Sequence, residues 1–188
     1  MEPEIRARAL FLHRFILRIA LAAGSIFAWL IVFKILLIET ADSSIALASL
    51  VSLYLFSQII TFFLTPLTGA ALRFGVRRAL MYGTLLNAAS FVVLSFLFLN
   101  APPSHEYVLL LIMLFVLLQG IARALYWIPY STEKAVGIAR TPLTLLSEMV
   151  IALMPALAGF VIASISGGVH ILLLGVASLI LLSAFITR

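Results

Sequence analysis

Leu72-Arg73-Phe74-Gly75-Val76-Arg77-Arg78 is the stretch that decides how the rest of the chain is interpreted. It is a short basic segment with one glycine, and it lies between two long apolar runs. Long apolar runs separated by basic turns are typical of helices that cross a membrane and of loops that remain at its surface. We therefore predict that residues 72–78 form a turn where the chain leaves the membrane and re-enters it.

The composition excludes a water-soluble fold. Of the 188 residues, 64% are hydrophobic and 10% are charged, whereas soluble domains are about half apolar and about a quarter charged. A spanning helix needs about 20 apolar residues. The apolar runs here are long and barely alternate, which favours helices over a β-barrel. We expect an all-α, polytopic protein of the plasma (cytoplasmic) membrane.

Six transmembrane helices are predicted from the apolar runs. Residues 1–18 mix four arginines with apolar residues, and we expect a helical lead-in at the cytoplasmic interface. A six-helix transmembrane domain then covers residues 19–188. Asp42 or Ser43 is expected to cap the second helix. The predicted spans are about 19–38, 45–71, 79–99, 107–130, 142–163 and 169–187.

The basic residues are sorted to one side of these spans. Ten of the twelve Lys and Arg residues lie in the lead-in, in the 72–78 turn, in the 131–140 link and at Arg188. The three loops on the opposite side contain no Lys or Arg. Because basic loops remain in the cytoplasm, we predict that both termini are inside.

Several function classes lack their signatures. The net charge of +5 does not indicate nucleic-acid binding, because the basic residues lie between apolar runs. The absence of cysteine excludes disulfides, thiol catalysis and thiolate metal sites. The chain has no zinc-binding His pair, no Gly-x-Ser-x-Gly, no phosphate loop and no acidic metal cluster. We expect no enzymatic activity, no metal and no cofactor.

Two spans carry polar residues along one helical face. In the second span these residues are Tyr54, Gln58, Thr61 and Thr65, and in the fourth they are Gln119, Arg123, Tyr126 and Tyr130. Polar groups avoid lipid, so both faces should point into the bundle or into a wet cavity. They would either line a cavity for a solute or form hydrogen bonds between packed helices. Ser25 and Trp29 share a face of the first span and are candidates for the same lining.

Arg123 and Glu148 are the charged pair that we expect inside the membrane. Each lies about seven residues from the inner end of its span, which is about 10 Å deep at about 1.5 Å per residue. An ion pair is plausible because either charge alone is costly at that depth. Glu148 would exchange a proton while Arg123 binds an anion or the carboxylate, or else the pair is structural. Lys34 is explained by snorkelling to the surface or by a cavity role, and the three histidines are assigned no function.

Small residues follow one face of the fifth span. They are Ala152, Ala156, Gly159 and Ala163, with Pro155 beside them. This spacing lets another helix approach closely, and Pro155 removes one backbone hydrogen bond. The face is a candidate docking surface for a partner.

The basic turn resembles the loop between helices 2 and 3 of the major facilitator superfamily. The family pattern is roughly Gly, three residues, Asp, Arg, any residue, Gly and then basic residues. Arg73, Gly75, Arg77 and Arg78 match it if one residue is inserted after the glycine, whereas Leu72 occupies the Asp position. Gln119-Gly120 resembles the Gln-Gly of the fourth helix of the family. Pro155 and Gly159 resemble a degenerate Gly-Pro-x-x-Gly-Gly pattern of the fifth.

This resemblance covers only the first half of a usual family member. It implies the N-terminal six-helix half of a secondary transporter, which carries a small solute by alternating access after joining a second half or a second copy. The loop at 72–78 would then belong to a gate. The alternative is a non-transport membrane subunit that holds a partner through the fifth span. The expected surroundings are the lipid bilayer and a small-molecule solute, with no nucleic acid.

Overall fold

A computed structural model of the chain describes residues 3–71, 75–98, 104–134, 142–164 and 168–186. Within these ranges, the description does not extend to the side chains of residues 3–8, 10, 67–71, 76–77, 127–134 and 142–147. All regular secondary structure in the described ranges is helical. The expected all-α architecture is confirmed.

The helices follow the predicted order of spans. They are α1 (Pro3–Thr40), α2 (Ser43–Ala71), α3 (Val76–Ser95) with a 3₁₀ turn at Phe96–Phe98, α4 (His105–Lys134), α5 (Pro142–Ser164) and α6 (Gly168–Ile186). All except α5 contain an apolar stretch that is long enough to cross a membrane. In α5 the described apolar stretch is shorter, at Glu148–Ser164. The lengths and composition of these helices support a multi-pass membrane protein.

The first helix does not break where the sequence suggested a boundary. It runs for 38 residues without interruption, and its apolar stretch begins at Phe11. His13 and Leu17 are almost completely buried. The lead-in and the first span are therefore one helix, because the apolar contacts of residues 13 and 17 continue the buried face of the span towards the N-terminus.

The turn between α1 and α2 ends in a capped helix. Asp42 Oδ1 accepts hydrogen bonds from the backbone N–H of Ser44 at 2.7 Å and from the hydroxyl of Ser44 at 2.6 Å. A longer bond of 3.4 Å comes from the N–H of Ile45. A carboxylate at this position satisfies N–H groups that have no partner within the helix. Asp42 is thus the helix cap, one of the two candidates that the sequence offered.

Gly75 enters α3 with a backbone that few other residues adopt. Its φ angle is +103°, in a region that L-residues avoid because Cβ clashes with the backbone. Its carbonyl oxygen accepts hydrogen bonds from the N–H groups of Arg78 and Ala79. The glycine in the 72–78 turn is therefore required by the geometry of the turn itself, independently of any family pattern.

The core lies where four helices meet. α3 packs between α4 and α6, and α1 packs against α6 on the far side. Phe91 of α3, Phe115 of α4 and Leu173 of α6 are all 1% exposed or less. The two remaining helices are peripheral: α2 packs on α4 and α1, and α5 packs on α1 and α6. This arrangement places one face of α2 and one face of α5 outside the core.

Candidate functional site

An ion pair joins α1 to α5. Arg18 Nη2 donates to Glu148 Oε2 at 2.7 Å, and Arg18 Nη1 donates to Glu148 Oε1. Each of the two Nη atoms therefore binds one carboxylate oxygen, which is the strong two-bond form of this interaction. The side chains are 37% and 52% exposed, so the pair lies at an open surface of the bundle and not in its core.

The expected pairing of Glu148 with Arg123 is wrong. The two residues are predicted at similar depths within their spans, but among the described residues α5 packs mainly on α1 and α6. Equal depth along the membrane normal does not make two helices neighbours within the membrane plane. Glu148 is therefore paired with Arg18, for which the sequence indicated only contact with lipid headgroups.

Arg123 is half-buried on α4 and has no ion-pair partner among the described residues. One turn further along, the ring of Tyr126 lies 6.1 Å from the ring of His13 on α1, between ring centres. Tyr126 therefore lies beside the N-terminal part of α1, next to His13. Arg123 does not take part in the Arg18–Glu148 ion pair. The side chain of Tyr130 lies outside the described residues.

His13 is buried, although the sequence assigned it no role. Its exposed fraction is 1%, and its Nδ1 donates to the carbonyl oxygen of Ser183 on α6 at 2.9 Å. Because a carbonyl oxygen only accepts, Nδ1 carries the hydrogen. The other ring nitrogen, Nε2, is buried and has no hydrogen-bond partner within the described residues. His13 therefore ties α1 to α6 and presents one unused polar atom to the interior.

Gln119 forms a polar contact between helices. Its side-chain amide donates to Asn87 Oδ1 at 2.9 Å and to Ser90 Oγ at 2.7 Å, and both acceptors are on α3. Gln119 is only 9% exposed. Of the two interpretations that the sequence left open, this geometry favours hydrogen bonding between packed helices over cavity lining.

A second polar contact joins α2 to α4. Thr61 donates to the carbonyl oxygen of Ser57 at 2.9 Å and to that of Gly120 at 3.1 Å. Close by in the sequence, Ser57 Oγ and Gln58 Nε2 are buried without a hydrogen-bond partner among the described residues. The polar residues of α2 therefore differ in their contacts. Thr61 forms a hydrogen bond with α4, whereas the side-chain N–H group of Gln58 has no acceptor among the described residues.

Tyr54 lies apart from that contact, in a groove between α1 and α2. Its ring meets Trp29 edge to face, with 5.5 Å between ring centres, and Trp29 meets Phe115 of α4 in the same way and at the same separation. Ser25 and Trp29 both line this groove together with Tyr54. The structure thus brings together the three residues that the sequence proposed for a lining, but in a mostly apolar setting.

The small-residue face of α5 is only partly used within the chain. A Cβ atom added to Gly159 would lie 3.4 Å from the Phe27 ring of α1, so this part of the face already packs. Ala152, Ala156 and Ala163 are exposed, and Pro155 is half-buried. The exposed alanines run along the same side of the helix as Glu148, one turn and more beyond it.

The gate-loop motif is described only in part. Gly75 and Arg78 are exposed, and Arg78 lines a cavity of about 680 Å³ with Tyr82 of α3 and Leu125 of α4. Arg73 and the side chain of Arg77 lie outside the described residues. No proton relay through this loop follows from the described atoms.

Sequence reasoning missed three residues that the structure makes prominent. Arg18 was not identified as a candidate site residue, because the excess of basic residues in cytoplasmic segments already explains an arginine at the inner end of an apolar run. His13 was not identified because the first span was predicted to begin after it, at about residue 19. Asn87 did carry a signal, since a carboxamide in the middle of an apolar span predicts an interhelical partner.

Comparisons with protein-family models, with curated proteins and with solved structures gave no match for this chain. Within the described residues, no three His, Asp or Glu side chains come close enough together to hold a metal ion. What the chain does must therefore be inferred from its own groups, among which is the Arg18–Glu148 pair.

Proposed function

We propose that the chain is a secondary membrane transporter that moves a small solute by alternating access, as the N-terminal six-helix half of a facilitator-type protein. The observation that carries this is the exposed Arg18–Glu148 pair between α1 and α5. Charged groups within membrane helices point towards the bundle interior or a water-filled path. Because both side chains are more than a third exposed, a water-filled path accounts for them better than a purely structural pair.

Part of the helix packing relates the first three helices to the last three. α1 packs on α2, α5 and α6, and α4 packs on α2 and α3. If α1–α3 are matched with α4–α6 in order, the α1–α5 and α1–α6 contacts exchange with the α4–α2 and α4–α3 contacts, and the α3–α6 contact maps onto itself. The α1–α2 contact has no counterpart of similar extent between α4 and α5 among the described residues. Inverted three-helix repeats of this kind occur within each half of facilitator-type transporters.

In the proposed mechanism, the Arg18–Glu148 ion pair breaks during the transport cycle. Protonation of Glu148 removes the charge that holds Arg18, and the α1–α5 contact weakens. The exposed faces of α2 and α5 contact a second six-helix half or a second copy of the chain, and the solute lies between them. Glu148 thereby couples proton binding to the movement of α1 against α5.

Cysteine labelling tests this without knowing the solute. The chain has no cysteine, so single-cysteine variants need no prior substitutions. Ala152→Cys places a thiol one turn from Glu148 on the exposed side of α5. We expect a membrane-impermeant maleimide to react with it both in right-side-out and in inverted vesicles. Ser178→Cys, at an exposed position of α6, is the matched control and should remain unlabelled because that face contacts lipid.

Two results would decide against transport. Labelling of Ala152→Cys from one side only, under all conditions, indicates a static surface. Labelling from neither side indicates a face covered by lipid or protein. The proposed orientation is tested separately, since a reporter fused after Arg188 should be active only in the cytoplasm.

A second candidate function is a non-transport subunit that docks a partner on α5. The exposed row Ala152, Ala156 and Ala163 favours it, because small residues allow close helix approach. Ala156→Leu would then dissociate a co-purifying protein while the chain itself remains folded, whereas Ser178→Leu on α6 would not. If neither variant changes the size of the purified complex, this candidate is excluded.

A further inference from the structure

A lateral groove between α1 and α2 is not used by the proposed transport cycle. It encloses about 590 Å³, within the range of about 300–1,000 Å³ that small-molecule sites occupy. The residues that line it are apolar except for Ser25, Tyr54 and the indole N–H of Trp29. A groove of this size and polarity fits a hydrocarbon chain.

The groove is about as long as one leaflet of the bilayer is thick. One wall comes from residues 25–33 of α1 and the other from residues 47–54 of α2, so the walls end eight and five residues from the turn at residues 41–42. At about 1.5 Å per residue the α1 wall is about 12 Å long, and one leaflet of the hydrocarbon core is about 15 Å thick.

Packed aromatic rings form one side of the groove. Trp29 is held edge to face between Tyr54 and Phe115, so its indole ring is fixed by contacts on both sides. Ile26 and Leu30 at the rim are about half exposed, which leaves the groove accessible from the side. A chain lying in the groove would contact the Trp29 ring directly.

An exposed cation, Lys34, follows the last α1 residue of the groove on the side nearest the turn. Lys34 follows Ile26 and Leu30 at steps of four residues, so all three share one face of α1. Lys34 is exposed and has no hydrogen bond or ion pair with another described residue. Two acids near this end are engaged elsewhere, since Glu39 pairs with His105 and Asp42 caps α2.

The depth of Lys34 suits a lipid headgroup. It lies six residues before the end of α1 at Thr40, about 9 Å along the helix axis at about 1.5 Å per residue. A lysine side chain at that depth extends to the interface and keeps its ammonium group among the headgroups. An apolar groove with an ammonium group at its outer end is complementary to an anionic amphiphile.

We propose that the α1–α2 groove binds an anionic membrane phospholipid, with one acyl chain on Trp29 and the phosphate paired with Lys34. The site does not depend on the transport cycle. It stabilises the contact between α1 and the otherwise peripheral α2 by filling the space between them.

Quenching of Trp29 fluorescence tests this directly. The chain has two tryptophans, so Trp127→Phe leaves Trp29 as the only indole. This variant is reconstituted in vesicles with increasing fractions of phosphatidylglycerol or phosphatidylcholine that carries brominated acyl chains. We expect brominated phosphatidylglycerol to quench Trp29 at a roughly fivefold lower fraction, which corresponds to about 1 kcal/mol for one Lys near anionic headgroups.

Three variants identify the headgroup contact. Lys34→Gln should remove the preference for phosphatidylglycerol, and Lys34→Arg should retain it. Arg78→Gln, which removes an exposed cation at the opposite end of the bundle, should also retain it. Circular dichroism of each variant confirms that its helices are intact.

The opposite results would overturn the proposal. Equal quenching by the two lipids in the Trp127→Phe background would show that the groove does not select an anion. An unchanged preference in Lys34→Gln would show that another group binds the phosphate. Displacement of phosphatidylglycerol by a lower concentration of brominated oleate would assign the groove to a free fatty acid.

Discussion

Arg18 on α1 and Glu148 on α5 form two hydrogen bonds although 130 residues separate them in the chain. The two-bond geometry fixes the angle between the planar groups as well as their separation. This contact links α1 to α5, which among the described residues packs mainly on α1 and α6.

The two partners should depend on each other. Arg18→Gln and Glu148→Gln each remove both hydrogen bonds of the pair, and charge-assisted hydrogen bonds of this two-bond form are stronger than neutral ones. We expect each single variant to lower the melting temperature in detergent, and the double variant to recover part of the loss. Thermal unfolding of all four proteins measures this coupling. Strictly additive losses would show that the pair makes no net contribution.

The pair should also make the opening of the bundle depend on pH. In the Ala152→Cys background, the rate of maleimide labelling is divided by the rate for the same protein in denaturant at each pH, because only the thiolate reacts and its fraction falls with pH. This ratio should increase as the pH falls, because protonated Glu148 no longer holds Arg18. Glu148→Gln mimics the protonated form, so its ratio should be high and independent of pH. A pH dependence that persists in Glu148→Gln would assign the proton to another group.

Gln119 is expected to contribute stability and not solute binding. Gln119→Leu removes both hydrogen bonds to α3, and interhelical hydrogen bonds in membrane proteins contribute about 0.6 kcal/mol on average and about 1.7 at most. The free energy of unfolding should fall by about that amount. Leu117→Ala, at an exposed position of the same helix, is the control and should have a smaller effect.

Gly120 should tolerate no side chain. A Cβ atom there would lie 2.9 Å from Ile60 Cβ and from the carbonyl oxygen of Ser57, both on α2. Gly120→Ala must therefore push α2 away from α4, and overpacking of this kind costs about 1–3 kcal/mol.

Gly175 on α6 provides the matched control for that substitution. An added Cβ meets nothing within 4 Å, so Gly175→Ala should be neutral or more stable by about 1 kcal/mol through helix propensity. Equal effects of the two substitutions on the free energy of unfolding would refute the close α2–α4 contact.

The Asp42 cap should make the start of α2 sensitive to acid. Hydrogen bonds from the hydroxyl and N–H of Ser44 and from the N–H of Ile45 hold the pKa of Asp42 below its ordinary value. The stabilisation is therefore complete above the unfolded pKa of about 3.9 and is lost as the pH falls through the lower, folded value.

Asp42→Asn keeps a capping oxygen but cannot titrate. The difference in melting temperature between the wild type and this variant should be constant at neutral pH and should shift in favour of Asn as the pH falls below about 3.9. A difference that does not change with pH would mean that Asp42 is not the group that titrates.

The local features of the chain could be predicted because they depend on local chemistry. Hydrophobic runs set the order of the helices, and Asp42 was identifiable as a cap because carboxylates at helix starts satisfy free N–H groups. The boundary at residue 18 stays a prediction, and no helix end marks it, because α1 is continuous from Pro3 to Thr40. His13 and Leu17 continue the buried face of α1 although arginines surround them.

The sequence by itself determined that the chain is made of long apolar helices, since its apolar runs are long and barely alternate, which favours helices over the closed β-barrels that also satisfy the backbone within lipid. It also determined which residues are polar at membrane depth. Only the tertiary structure decided their partners: Glu148 with Arg18, and Gln119 with Asn87 and Ser90. Position along a helix gives the depth of a residue, but its partner depends on which helices are neighbours and on their rotation, which are set by packing across the whole bundle.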